Sequence, residues 1–248
     1  MKRAFVVLVV GLLGCGDKAT STPPSASAVK SAAPVASAPP ALPAELPPIT
    51  VDEQGVFWMG ERANLKENDG LAKLKKAVGG KPLGDKEIKV IALKKASSTD
   101  VFALVRELAA AGVAKLEIKA EGRGDLPKEF VIVPAAKLTE KPAACSVVAM
   151  VSKNLATDVW SVKGGTGKRH VKGFAGPDLS NTGETLKKDL EKCDSSVAFF
   201  SVDDALEWEL GHMIGGAILA NDEGKKIKSL VLLDEVPVPG RPVKGFGE

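Results

Sequence analysis

From residue 49 onward, short runs of alternating apolar and polar residues are separated by longer runs with apolar residues three and four apart. A period of two marks a half-buried strand, and a period near 3.6 marks an amphipathic helix. Ile49-Thr50-Val51, a turn at Glu53-Gln54-Gly55, and Val56-Phe57-Trp58-Met59 read as a hairpin. Leu71, Leu74 and Val78 share one face of a short helix ending at Gly79-Gly80. Ile88 to Leu93 predicts a strand, and Ser97, Ser98, Thr99 and Asp100 offer N-caps for a second helix. That helix buries Val101, Leu104, Val105 and Leu108 and stops at Gly112. Leu116 and Ile118 alternate with charged neighbours in a half-buried strand, and Phe130 to Val133 adds an edge strand before Pro134.

The same order then returns. Val147 to Val151 pairs with Val159 to Val162 across a turn near Asn154. Asn181 and Glu184 stand at capping-box spacing before a helix bearing Leu186 and Leu190. Val197 to Phe200 forms a strand, and Asp203 or Asp204 starts a longer helix carrying Leu206, Leu210, Met213 and Ala217. Ile227 and Leu230 to Leu233 close the unit, and Trp58 and Trp160 fall in corresponding second strands. The expected fold is α+β: two tandem β-β-α-β-α-β units over 49–140 and 141–248, each a small sheet with two helices on one face.

The stretches ITVDEQGVFWMGE and KVIALKKASSTDVFALVRELAAAGVAKLEIKAE carry two local signatures. One is a strand, Asp-x-x-Gly, strand opening (Asp52 to Gly55). The other is a strand, polar turn, helix, Ala-Gly, strand close (ending Ala111-Gly112). In order and cadence this resembles the periplasmic domain of the ExbD/TolR family of biopolymer-transport proteins, with the second copy similar mainly in order. The resemblance implies a soluble domain that pairs with itself, with partner proteins or with the cell wall, so that a tandem copy forms an internal pseudo-dimer. That family also has a transmembrane helix with a buried Asp for proton coupling, and Ala4 to Leu13 contains no acid. Proton coupling is therefore not implied here.

The start of the chain has a different character. Met1-Lys2-Arg3 precedes ten apolar residues, Ala4 to Leu13, where a membrane-spanning helix needs about twenty. This is the layout of a secretory signal. Its end, Leu12-Leu13-Gly14-Cys15, resembles the lipobox of bacterial lipoproteins. Residues 1–14 are expected to be a signal peptide cut between Gly14 and Cys15, with the Cys15 thiol carrying the lipid (palmitate among its chains). Each buried methylene contributes about 0.8 kcal/mol to membrane affinity. Gly16, rather than Asp, follows the cysteine, which favours the outer over the inner membrane. Residues 15–48 are expected to be this lipidated N-terminus and an Ala/Pro/Ser-rich disordered linker. Residues 19–49 hold eight of the chain's sixteen prolines and only two charges, Lys30 and Glu45. Such composition does not bury enough apolar surface to offset the entropy of ordering.

Composition narrows the function classes. With 44% hydrophobic and 26% charged residues, the whole sequence has the composition of an ordinary globular chain. The net charge is +3, of which Lys2 and Arg3 supply two. Aromatics are 4% and Tyr is absent, so neither a basic face nor stacking platforms point to nucleic acid. Gly164-Gly165-Thr166-Gly167-Lys168 fails the phosphate-loop pattern, with Val162 for the first glycine and Arg169 for the hydroxyl, and reads as a flexible loop. His170 and His212 have no ligand at metal-binding spacing. Asp203, Asp204, Glu207 and His212 suit a helix start and face better than an acid/base set. No catalytic residue, metal or cofactor is expected. Cys145 and Cys193 are the disulfide candidates of an oxidising compartment, with two buried free thiols as the alternative. The expected function is a membrane-tethered, non-catalytic envelope lipoprotein binding a periplasmic protein or peptidoglycan. The alternatives are an envelope hydrolase or transferase and a structural spacer.

Overall fold

The computed structural model describes residues 45–84, 86–121 and 124–247. Gly14, Cys15 and nearly all of the linker lie outside the described residues. The first stretch gives β1 (Ile49–Asp52), β2 (Gly55–Trp58), β3 (Glu61–Ala63), α1 (Gly70–Val78), β4 (Ile88–Ala92), α2 (Ser98–Ala110) and β5 (Leu116–Ala120). Next come β6 (Glu129–Pro134) and a 3-10 turn at Ala135–Lys137. The second stretch gives β7 (Val147–Val151), β8 (Thr157–Ser161), β9 (Lys168–His170), α3 (Leu179–Lys192), β10 (Val197–Val202), α4 (Trp208–Ala220) and β11 (Ser229–Leu232).

These strands do not make two small sheets. They form one mixed sheet of eleven, in the order β3-β2-β1-β4-β5-β6-β11-β10-β7-β8-β9. The expectation of a separate sheet for each unit is overturned by β6. It pairs antiparallel with β5, Ile118 opposite Phe130, and parallel with β11, Val133 beside Val231. The residues expected to make an outer strand are the sixth strand of eleven. Each side of β6 carries the same set of strands in mirrored order, and the two sets run in opposite directions. A pseudo-two-fold axis normal to the sheet relates them, with β6 as the one strand lacking a counterpart.

The helix starts repeat the symmetry at atomic scale. Ser97 is the N-cap of α2 and Glu207 that of α4, and both helices have 13 residues. The two caps bridge each other: the Ser98 N–H donates to the Leu206 carbonyl (3.0 Å) and the Trp208 N–H to that of Ala96 (2.8 Å). Pseudo-equivalent residues exchange equivalent bonds, as across the two-fold interface of a homodimer. Likewise Leu93 donates to Val51, and Asp203 donates to Val151.

Several local expectations are corrected. Asp178, not Asn181, caps α3, accepting from the Asn181 N–H. Asp203 accepts from the Ala205 N–H in a tight turn, so α4 begins only at Trp208. Leu71 is exposed, and α1 packs through Leu74 and Val78. The tryptophans are not equivalent: Trp58 belongs to the core under the helices, whereas Trp160 belongs to the opposite face.

All four helices contribute to the main core on one face of the sheet, with Ile49, Val90, Ile118, Ile132, Ala149, Phe200 and Leu232 beneath them. The other face is divided. In the second half it is covered by the C-terminal segment, whose Val243 and Phe246 pack on Val148, Trp160 and Phe199. In the first half it is open to solvent, and there Val131 of β6 is 52% exposed.

Candidate functional site

The residues with chemical potential do not converge. Asp203 is committed to the Ala205 turn, the Asp204 carbonyl accepts from the Thr99 hydroxyl, and Glu207 is the exposed half of the cap bridge. His212 lies apart from them, 1% exposed, with its ring stacked on Phe130 at 4.5 Å between centroids. Burial drives its pKa down to about 4, and the backbone groups of Ile118 and Lys128 pull the other way without offsetting it. Its Nε2 has no hydrogen-bond partner. A neutral imidazole sealed under a helix is a packing residue.

Around it the scarce aromatics gather. Phe130 stands edge-on to Phe200, and Trp208 meets both Phe200 and Phe102 at about six ångströms. This cluster joins α2, β6, β10 and α4 where the two halves meet. It depends on Gly215, where an added Cβ would lie 3.0 Å from the Phe130 ring. Among the described residues, no three His, Cys, Asp or Glu side chains are placed to hold a metal ion.

The Gly-rich stretch 164–168 is no loose loop. The Gly165 N–H donates to the Gly240 carbonyl, and the Trp160 indole N–H donates to that of Arg241. A Cβ on Gly164 would stand 2.7 Å from the Pro242 nitrogen. The turn therefore clasps the C-terminal segment against the sheet. Cys145 and Cys193 are bonded to each other, with 5.6 Å between their Cα atoms, tying the approach to β7 to the end of α3. Lys226 caps that helix end by donating to the Leu190 and Cys193 carbonyls.

What the fold leaves open are the two ends of the sheet. In an antiparallel ladder, hydrogen-bonded and non-hydrogen-bonded pairs alternate, and residues of the second kind turn their backbone groups away. Val162 donates to Ser146 and Ser152 to Ala156, so the even residues of β8 face β7. Thr157 and Val159 then face β9 and take His170 and Lys168, which leaves the Arg169 N–H and C=O pointing outward. The same reasoning from the Leu93–Val51 bond sets the Arg62 backbone outward at the β3 end.

An arginine thus centres each open edge, and each pairs with an acid: Arg62 with Asp52 at 2.7 Å, Arg169 with Asp158 at 3.4 Å. The Arg62 hydrogen bond holds the Asp52 carboxyl below its usual range. The edges differ in where the chain goes next. Ala63 after Arg62 is buried and the chain turns into α1. After His170, Val171 is 74% exposed and Phe174 fully so, at 110%. Neither β3 nor β9 was expected from the sequence, because the three-residue runs Glu61-Arg62-Ala63 and Lys168-Arg169-His170 are too short to carry a periodic signal. No family model, no curated protein and no solved structure matches this chain.

Proposed function

We propose that the protein is a lipid-tethered, non-catalytic binding module of the bacterial envelope. In this reading the signal is removed between Gly14 and Cys15 and the Cys15 lipid holds the chain to the outer membrane. The Pro-rich segment serves as a spacer, and the duplicated sheet captures a protein or peptidoglycan partner. The observation that carries the binding reading is the exposed rim at β9, where Val171 and Phe174 stand in solvent beside the outermost strand of the sheet, paired on one side only among the described residues. Exposed apolar residues gathered at one place mark an interaction surface. An internal two-fold is the arrangement that a tandem copy of a self-pairing, ExbD/TolR-like domain would adopt, and it supports that reading.

Two experiments test this. Labelled palmitate should enter the parent chain and not Cys15→Ser, and the variant should leave the membrane fraction. The lipidated full chain in detergent should be retained by cell-wall sacculi or by envelope proteins, and retention should fall for Phe174→Ser. Equal retention of the two, or none, contradicts the binding reading and favours a spacer.

A further inference from the structure

We propose that the β9 edge takes an acidic, extended polypeptide segment as a twelfth strand, with the Arg169 backbone as its hydrogen-bonding centre. The inference deepens the binding reading above and rests on it. Three observations converge. The first is geometric: the Arg169 N–H and C=O point away from β8, so a strand laid alongside finds a donor and an acceptor in ladder geometry.

The second is charge. From Val159 to Pro177 there is no Asp or Glu, while Lys163, Lys168, Arg169 and Lys172 are all present. Lys168 and Arg169 reach Asp189 and Asp158 only at 3.6 and 3.4 Å, with the cations about half exposed. The Lys168 pair is exposed enough to yield readily to a better-placed carboxylate, whereas Arg169 stays beside a nearly buried Asp158 and meets a partner acid with its outward half. The covering helix brings Asp178 at its N-cap and Glu184, Asp189 and Glu191 within α3. Asp178 is held by Asn181, and Glu184 stands 3.7 Å from Lys188 one turn along its own helix.

The third is selectivity. Two copies of this chain joined antiparallel about Arg169 would set arginine opposite arginine. Cross-strand repulsion of that kind disfavours self-pairing. A partner strand with Glu or Asp opposite Arg169 meets that cation on the face away from the helices, and Lys168, on the helix face, and Lys172 add longer-range attraction. The β3 edge offers no such run of cations, since Glu61 precedes Arg62 and the next residue is buried.

The test uses the full chain and two capped hexapeptides, one alternating Glu and Val, the other Lys and Val. Binding is followed by fluorescence anisotropy of the labelled peptide and by amide exchange of residues 166–174. The Glu peptide should bind about tenfold or more tightly than the Lys peptide, and should slow exchange at Arg169. Arg169→Pro removes an N–H that no neighbouring strand uses, so β8–β9 pairing survives. It should nevertheless weaken peptide binding about fivefold or more, since it removes both the edge N–H and the Arg169 cation. Arg169→Glu keeps the N–H and should weaken the Glu peptide while improving the Lys peptide, which keeps the test sound if the proline variant melts. Arg62→Pro at the other edge should change nothing. Equal binding of the two peptides, no binding, or protection away from β9 overturns the inference. Undiminished envelope capture by Arg169→Pro would remove this site and leave the binding function standing, whereas loss of all capture by the parent chain would remove both.

Discussion

Acidification should weaken this fold through one residue, His212. In the folded chain its pKa is about 4, lowered mainly by burial, against an ordinary value of 6.5 once unfolded. Between these values the unfolded chain binds a proton that the folded chain refuses. Stability is therefore full above pH 6.5 and falls as pH drops towards 4. At 1.36 kcal/mol per pH unit, the gap amounts to a loss of about 3 kcal/mol, a large part of a typical domain's stability. Asp100, whose pKa is raised by burial, works in the opposite direction, so the parent profile alone is ambiguous. The His212→Phe variant resolves this, because a phenyl ring preserves the stack on Phe130 and does not titrate. Urea unfolding followed by tryptophan fluorescence, at steps from pH 7.5 to 4, should show the parent losing about 3 kcal/mol more than the variant. Parallel profiles for the two proteins would refute the reasoning, whatever their absolute stabilities.

The packing sets other outcomes. Phe130→Ala, which opens the aromatic seam, should cost about 3–5 kcal/mol in chemical denaturation, whereas its exposed neighbour Val131→Ala should cost under ~1 kcal/mol. Replacing Cys145 and Cys193 by serine removes a bond across 48 residues and should cost about 4 kcal/mol, measured against the oxidised parent. Gly164→Ala places a Cβ against Pro242 at a positive φ of 81° and should release the C-terminal segment, with tryptic cleavage after Lys244 in limited proteolysis as the readout. Unchanged cleavage there would mean that the clasp is not what holds the segment down.

Most strands and helices are legible in the sequence because period and turn chemistry agree along the chain. The main exception is β6, and its cause is physical. One face of the sheet is open in the first half, so Phe130 and Ile132 face the core while Val131 faces water. A central strand of a one-sided sheet then shows the same alternation as an edge strand. Nothing local distinguishes them, because the information lies in what pairs on either side. The start of α4 is hidden for a related reason. Asp203 is a good cap by type, but its carboxylate closes a turn one step earlier, and the bridge between Ser97 and Glu207 sets where the helix begins. The candidate site is less legible still. Lys168-Arg169-His170 has no strand signature, and the outward set of the Arg169 backbone emerges only from hydrogen bonds in three neighbouring strands.

A continuous sheet makes the two halves one cooperative body joined through β6. Native-state hydrogen exchange tests this most directly, since it reads the opening free energy of each strand separately. The β6 amides should exchange only on global unfolding, at the same free energy as those of β4 and β10. Two distinct free energies for the halves, with β6 opening below both, would contradict it.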